Sequence, residues 1–440
     1  MSATSIARIH ARSVWDSRGR PTVEAEVGLA GGAVGRAIAP AGASRGTREA
    51  IDLRDGGARL GGFGVRNAVA NVNDVIASAL VGMDACEQSA VDARLVELDG
   101  TPQKSTLGGN ATTATSLAVL HAAAAARGEP LWAYVAGDRP VTLPLPEIQI
   151  FGGGAHAERR VDVQDFMVIA TGAKSFADAL EMTAEVYRAA GELMREAGKL
   201  SGVADEGGWW PMFDSNEEAL VMLVRAIERA GYAPGDDVAI SLDIAASEFC
   251  REGRYRLGLE QRELTSEGMI ELLLAWLDRY PIVSIEDPLA EDDPGGMASF
   301  TRAAGSRVQI VGDDFLVTSA ARVAEAVRIG ACNCALIKPN QAGTVTETRA
   351  ALDAARNAGW ATIVSARSGE TEDTSIVDLA VGWNAAQLKV GSFARSERMA
   401  KWNACLRIEE AIGSRGHFAG RAALAPLQPL RVGADRSAPG

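Results

Sequence analysis

The 440-residue chain is 47% apolar and carries 44 Lys and Arg against 57 Asp and Glu, a net charge of −13. That balance excludes a basic surface of the kind nucleic acid or an anionic membrane requires, so an anionic substrate must be met by local cations or by metal. Five scattered cysteines form no disulfide framework, the amino terminus lacks a signal-peptide core, and no stretch reaches about 18 uninterrupted apolar residues. A soluble, unexported, cytoplasmic protein is expected.

In chain order, residues 5 to about 30 alternate apolar and polar around Asp16-Ser-Arg-Gly19, which predicts a hairpin. A Gly/Ala/Ser loop follows at Pro40–Gly46, then helical patterns from about Val65 to Val81 and from Ala111 to Ala126. A sheet followed by helices is an α+β domain. The prolines of Gly137–Pro146 forbid helix and mark a boundary, and a barrel is expected from Glu147. Phe176–Gly198 and Ser215–Gly231 read as helices closed near a glycine. Six β-branched runs end in a polar or charged residue: Val238–Asp243, Pro281–Asp287, Val308–Asp313, Cys334–Lys338, Ala361–Ser365 and Ala386–Lys389. Helix-length segments separate most of them, the pattern of an α/β fold closed as a β/α barrel with its chemistry on one rim. The expected division is 1–136 for the α+β domain, 137–424 for the barrel and 425–440 for a flexible, dispensable tail. Cys332 and Cys334 lack a second pair to complete a zinc site and are expected to pack in a strand.

Asp243, Glu286 and Asp313 end three successive strands, so their carboxylates should converge at the rim. Oxygen ligands without His or Cys call for a hard cation, Mg²⁺. Lys338 and Lys389 end strands expected opposite that cation. A lysine in a dry pocket near other cations loses pKa and can serve as a base, and with the metal it suits proton abstraction next to a carboxylate. Ala204-Asp205-Glu206-Gly-Gly208 places a candidate acid on a glycine loop, and Arg367-Ser368-Gly369 offers a phosphate grip. Gly152-Gly-Gly-Ala-His156 lacks the lysine of a nucleotide-binding loop.

With these residues assembled, the chain resembles the enolase (phosphopyruvate hydratase) family from Ile6 to about Ala411. The motifs are Asp16-Ser-Arg-Gly-x-Pro-Thr-Val-Glu, Gly42-Ala-Ser44, Asp205-Glu206-Gly-Gly, Ser284-Ile-Glu-Asp-Pro, Gly312-Asp-Asp, Ser368-Gly-Glu-Thr-Glu-Asp-Thr and Ala394-Arg-Ser-Glu-Arg-x-Ala-Lys. The resemblance implies an enolase-type modified barrel under an N-terminal capping domain, assembled as a dimer or a ring of dimers. It makes Asp243, Glu286 and Asp313 ligands of a first Mg²⁺ and Ser44 a ligand of a second. It makes Lys338 the base at C2 of 2-phosphoglycerate and Glu206 the acid at its C3 hydroxyl. Lys389 would meet the substrate carboxylate, Arg367 and Ser368 its phosphate, and His156 would ride on the closing loop. Several positions depart from the family. Ala366 replaces an imidazole, Asp165 a catalytic glutamate and Arg45 a threonine, while Trp209, Trp210, Pro339 and Ala342 also differ. An added cation at Arg45 and a vacated space at Ala366 suggest a reshaped pocket. The leading expectation is therefore a diverged paralogue such as a carboxyphosphonoenolpyruvate synthase, which moves phosphonoformate from its CMP derivative to a three-carbon enol. The alternatives are phosphopyruvate hydratase of glycolysis and a non-catalytic binding protein. The last is disfavoured because buried like charges repel without metal.

Overall fold

The structure, a computed structural model, describes residues 2–424; the proposed tail lies outside them. Strands β1 (Ile6–Trp15), β2 (Pro21–Leu29) and β3 (Val34–Ile38) form an antiparallel sheet in that order. The hairpin is as expected, and β3 extends it. The helix Gly109–Arg127 packs on β2 and β3, and its alanines are what let it come close. A Cβ on Gly35 of β3 would strike the backbone of Ala118 and Ala122. The helix is therefore wedged against the sheet and buried as far as Ala124, while Ala125 and Ala126 are exposed.

Eight strands then close a barrel in the order β4 (Leu145–Gly152), β5 (Asp165–Ile169), β6 (Ala239–Asp243), β7 (Ile282–Glu286), β8 (Gln309–Gly312), β9 (Cys334–Ile337), β10 (Ala361–Ser365) and β11 (Gln387–Gly391). All neighbours are parallel except β5, which runs antiparallel to both β4 and β6. The cause is local: the connection 153–164 is a loop with one short turn, Gly154–Ala157. At twelve residues it is at the lower limit for a parallel crossover, and it has no helix to make one. The reversal delivers His156 and the first residue of β5 to the rim where the other strands end. Cys332 and Cys334 are buried against the barrel strands, as expected.

The outer helices start on one repeated device. Ser175, Ser215 and Thr344 each accept a hydrogen bond from the backbone N–H three residues on, at Asp178, Glu218 and Glu347. The N-terminal segment is stitched to the rim: Ala41 N–H donates to Gly369 O at 2.9 Å, Ala50 N–H to Gln341 O at 2.8 Å and Ser17 N–H to Glu370 O at 2.8 Å. Among the described residues, no helix is long and apolar enough to cross a membrane.

A second seam joins the helix Leu131–Ala136 to the helix Ser375–Gly382, where Asp378 Oδ1 accepts from Trp132 N–H at 3.2 Å. Burial pushes the Asp378 carboxyl up to about 7, more than the Trp132 N–H pulls it back. The folded form thus holds a proton that the unfolded chain, with a pKa near ~3.9, releases, and stability falls as pH rises between those values. Asp378→Asn keeps an acceptor for Trp132 and removes the titration. Its melting temperature is expected to exceed that of the parent at pH 8, with the gap narrowing steadily toward pH 4. A gap that does not change with pH would overturn this reading.

Candidate active site

Each strand end contributes according to its direction. Asp243 and Glu286 close β6 and β7, Asp313 follows β8, Lys338 follows β9 and Lys389 lies in β11, while Asp165 opens the reversed β5. All six are buried. The lysines do not stand apart from the carboxylates as expected; they span the narrow mouth and hold them. Lys389 Nζ lies 3.0 Å from Asp243 Oδ2, 2.8 Å from Glu286 Oε2 and 3.5 Å from Asp165 Oδ2, and Lys338 Nζ donates to Asp313. Buried charges of opposite sign close on one another because each left alone is costly. Burial alone would strip Lys389 of its proton, but Asp243 and Glu286 hold it well above the usual lysine range. Burial and the neighbouring Asp243 raise Glu286, whereas Lys338 holds Asp313 low against its burial.

A second group faces these residues. His156 Nδ1 donates to Asp165 at 2.9 Å, and its Nε2 lies 3.1 Å from Ser368 Oγ and 3.6 Å from Glu206. Burial lowers His156, but Asp165 and Glu206 outweigh it and bring the imidazole up to about 9. Gln149 also donates to Asp165, on the same Oδ1 that takes His156, and Asp165 Oδ2 is buried without a hydrogen bond. The imidazolium has no lone pair to give a metal, although His156, Asp165 and Glu206 lie within 4.8 Å of one another.

Ser44 sits beside the cation-binding candidates through Gln164, whose amide donates to Ser44 Oγ at 3.3 Å and to Asp243 Oδ2 at 3.2 Å. Arg367 turns under the Ser44 loop. It donates to Glu49 at 2.8 Å, to Asn340 at 3.0 Å and to Ser44 O at 2.9 Å. A Cβ at Gly42 would lie on that guanidinium, which is why the loop needs glycine there. Arg398, with no exposed surface, fixes the next turn by donating to the carbonyls of Arg367 at 2.7 Å and Val390 at 2.8 Å. Asp287, at φ 39°, takes the backbone N–H groups of Asp313 and Asp314 at 2.9 and 2.7 Å. Such strain is stored where geometry matters. The roles of Glu49, Gln149 and Gln164 escaped the sequence reading, and Arg398 was inside a quoted motif without a role.

The cleft is narrow and is lined by Ser44, His156, Glu206, Lys338, Ala366 and Lys389 among others. Arg45 is not among them: its side chain is 48% exposed and reaches toward Asp52 at 3.9 Å. Trp209 also turns away, stacking on Tyr187 at 4.6 Å and donating to the Tyr187 carbonyl at 2.9 Å. The donor set fits a hard divalent cation. It comprises carboxylates and a hydroxyl without a thiolate, and Glu286 Oε1 is buried with no hydrogen-bond partner.

Residues 6–135 match the family model "Enolase, N-terminal domain" and residues 140–427 match "Enolase, C-terminal TIM barrel domain". The chain belongs to the enolase family. A curated relative, Enolase 1 of Desulfitobacterium hafniense (strain Y51), is 49% identical over 421 residues, covering 95% of this chain and 96% of that protein. Mg²⁺ is accordingly the cofactor of this enolase-family enzyme. The likeness overturns the leading expectation of a carboxyphosphonoenolpyruvate synthase with a CMP-activated donor. Identity at that level and near-complete coverage favour the enolase alternative. The geometry supplies the physical reason, because Arg45 points out of the cleft and builds no second anion pocket, and Trp209 packs away from it.

Proposed function

We propose that this enolase-family chain is a phosphopyruvate hydratase, converting 2-phosphoglycerate to phosphoenolpyruvate and water. The observation that carries the reading is an amine and a carboxyl facing one cleft from opposite sides of the barrel mouth. Lys338 stands at the end of β9, and Glu206 stands in the loop between the helices Phe176–Glu196 and Asn216–Arg229, beside His156. That arrangement suits an elimination in which one side removes a proton and the other protonates the departing hydroxyl.

In this reading Lys338 takes the C2 proton, the electron pair moves into the carboxylate as an enolate, and the C3–O bond breaks as Glu206 returns a proton to the leaving oxygen. Lys389 balances the substrate carboxylate. Charged His156, held by Asp165, orients Ser368 and Glu206. Asp243, Glu286 and Asp313 would hold one Mg²⁺ and Ser44 a second, and the cations supply charge stabilisation for the dianion that develops. In the arrangement described, Asp313 keeps Lys338 charged, so the base is armed only as the charge of Asp313 is drawn elsewhere. Arg367, already paired with Glu49, acts on the phosphate chiefly by fixing the Ser44 loop. The reading takes 1–136 as the capping domain and 137–424 as the barrel, with a small phosphorylated acid as substrate and a homo-oligomeric assembly.

The test is ultraviolet detection of enol formation from 2-phosphoglycerate. Turnover should require Mg²⁺, stop on chelation with EDTA and return when Mg²⁺ is restored. A folded, Mg²⁺-loaded protein that forms no phosphoenolpyruvate would sink the proposal.

A further inference from the structure

The loop that carries Ser44 is held unevenly. Up to Ser44 it is fixed from the cleft side, where Arg367 donates to the Ser44 carbonyl at 2.9 Å and Ala43 N–H donates to Ser368 Oγ at 3.2 Å. From Glu49 on it is fixed again, by the pair with Arg367 and by Ala50 N–H on Gln341 O at 2.8 Å. Between these anchors lies the tip Arg45-Gly-Thr-Arg48. Its seat is close: a Cβ on Gly46 would stand 2.6 Å from Val317 Cγ1 and 3.2 Å from the Asp314 carbonyl, on the segment that follows Asp313.

Arg45, Thr47 and Arg48 are exposed, and an exposed segment with few apolar contacts opens locally unless its hydrogen bonds hold it. Apart from the local turn of Glu49 N–H onto Gly46 O at 3.4 Å, the tip's backbone hydrogen-bonds to the rest of the described residues through Thr47 alone. Thr47 N–H donates to the two Glu291 carboxylate oxygens at 3.2 and 3.1 Å, and Thr47 O accepts from Gln103 Nε2 at 2.9 Å. Gln103 lies in the turn between the helices Gln88–Asp99 and Gly109–Arg127. There its carbonyl takes Ile51 N–H at 2.8 Å, and its amide also reaches Glu49 O at 3.0 Å. Glu291 lies between β7 and the helix Pro294–Ala304, with its own N–H on Ser247 Oγ at 2.8 Å. Neither side chain lines the cleft.

We propose that Gln103 and Glu291 are positioning residues for Ser44: from two sides they latch the tip 45–48 onto the segment after Asp313 and so keep the Ser44 hydroxyl over the cleft. The proposal rests on the role given to Ser44 under the proposed function. The two latches use opposite chemistry, since Gln103 supplies N–H donors and Glu291 supplies an acceptor.

The experiment is limited trypsin digestion of the full chain without substrate, with cleavage after Arg45 and Arg48 followed by mass spectrometry, alongside steady-state kinetics with 2-phosphoglycerate. Cleavage tracks the population of the open segment, and Gln103→Ala and Glu291→Ala should each raise it about fivefold, the usual scale for one hydrogen bond lost. Melting temperatures and cleavage elsewhere should not change. Glu291→Gln keeps an acceptor and should digest like the parent, whereas Gln103→Glu sets a carboxylate against two carbonyls and should open the tip as the alanine does. KM should rise in the variants that open the tip while kcat holds, because only the closed fraction binds well. Cleavage that neither alanine changes, or a Glu291→Gln chain that opens like Glu291→Ala, overturns the latch. Faster cleavage with KM unmoved overturns its role for Ser44. A folded chain that turns over no 2-phosphoglycerate defeats the hydratase reading instead, and the digestion still decides the latch.

Discussion

Lys338→Ala should lose turnover of 2-phosphoglycerate by ~10³-fold or more, at the upper end of what a positioned base contributes. The reason is positional. Lys338 follows β9 with its backbone N–H on Thr318 Oγ1 at 2.9 Å, Thr318 holds Gln341 at 2.6 Å, and Gln341 and Lys338 share the two oxygens of Asp313. Deuterium exchange at C2 should vanish with turnover, whereas Mg²⁺ binding should persist or tighten because Asp313 loses its competing cation. Lys338→Arg should be as inactive as the alanine variant, since a guanidinium keeps charge and reach but does not release its proton. Exchange that survives either substitution would move the base elsewhere.

Glu49→Ala should be the most damaging change outside the charged rim. It leaves Arg367 buried with a full charge and with only the neutral acceptors Asn340 and Ser44 O. Breaking a buried pair from one side costs about 3–5 kcal/mol. The melting temperature should fall by several degrees, and KM should rise as the Ser44 loop loses its anchor. Glu49→Gln, which keeps a hydrogen bond to Arg367, should lie between. A Glu49→Ala protein that melts with the parent would mean that the pair does not hold the loop.

What could be read from the sequence follows from direction. The β-branched runs ending at Asp243, Glu286, Asp313, Lys338 and Lys389 were legible because a parallel barrel places its chemistry at carboxyl ends. Strand β5 was not, since it runs the other way and carries Asp165 at its start. The pairing of lysine with carboxylate was also hidden, because spacing gives the rim but not which long side chain crosses it. Glu49 and Glu147 carried no pattern at all. One lies in an irregular loop, and the other interrupts an apolar strand, where its hydrogen bond comes from Ser241 on another strand. The departures at Arg45 and Trp209 were legible as substitutions and misleading as function, since a residue's identity does not say which way it points.

The barrel is sealed by its first and last strands, β4 pairing with β11. During synthesis from the amino end, Asp165, Asp243 and Glu286 emerge from the ribosome well before Lys389, their shared counterweight. A growing chain that has reached Ser365 therefore has an open seam and a rim of acids that Lys389 does not yet balance, and it is held open by the repulsion the finished protein cancels. Activity then appears only once β11 has been made, so products of translation interrupted before Lys389 should be inert and should depend on chaperones or proteases for their fate.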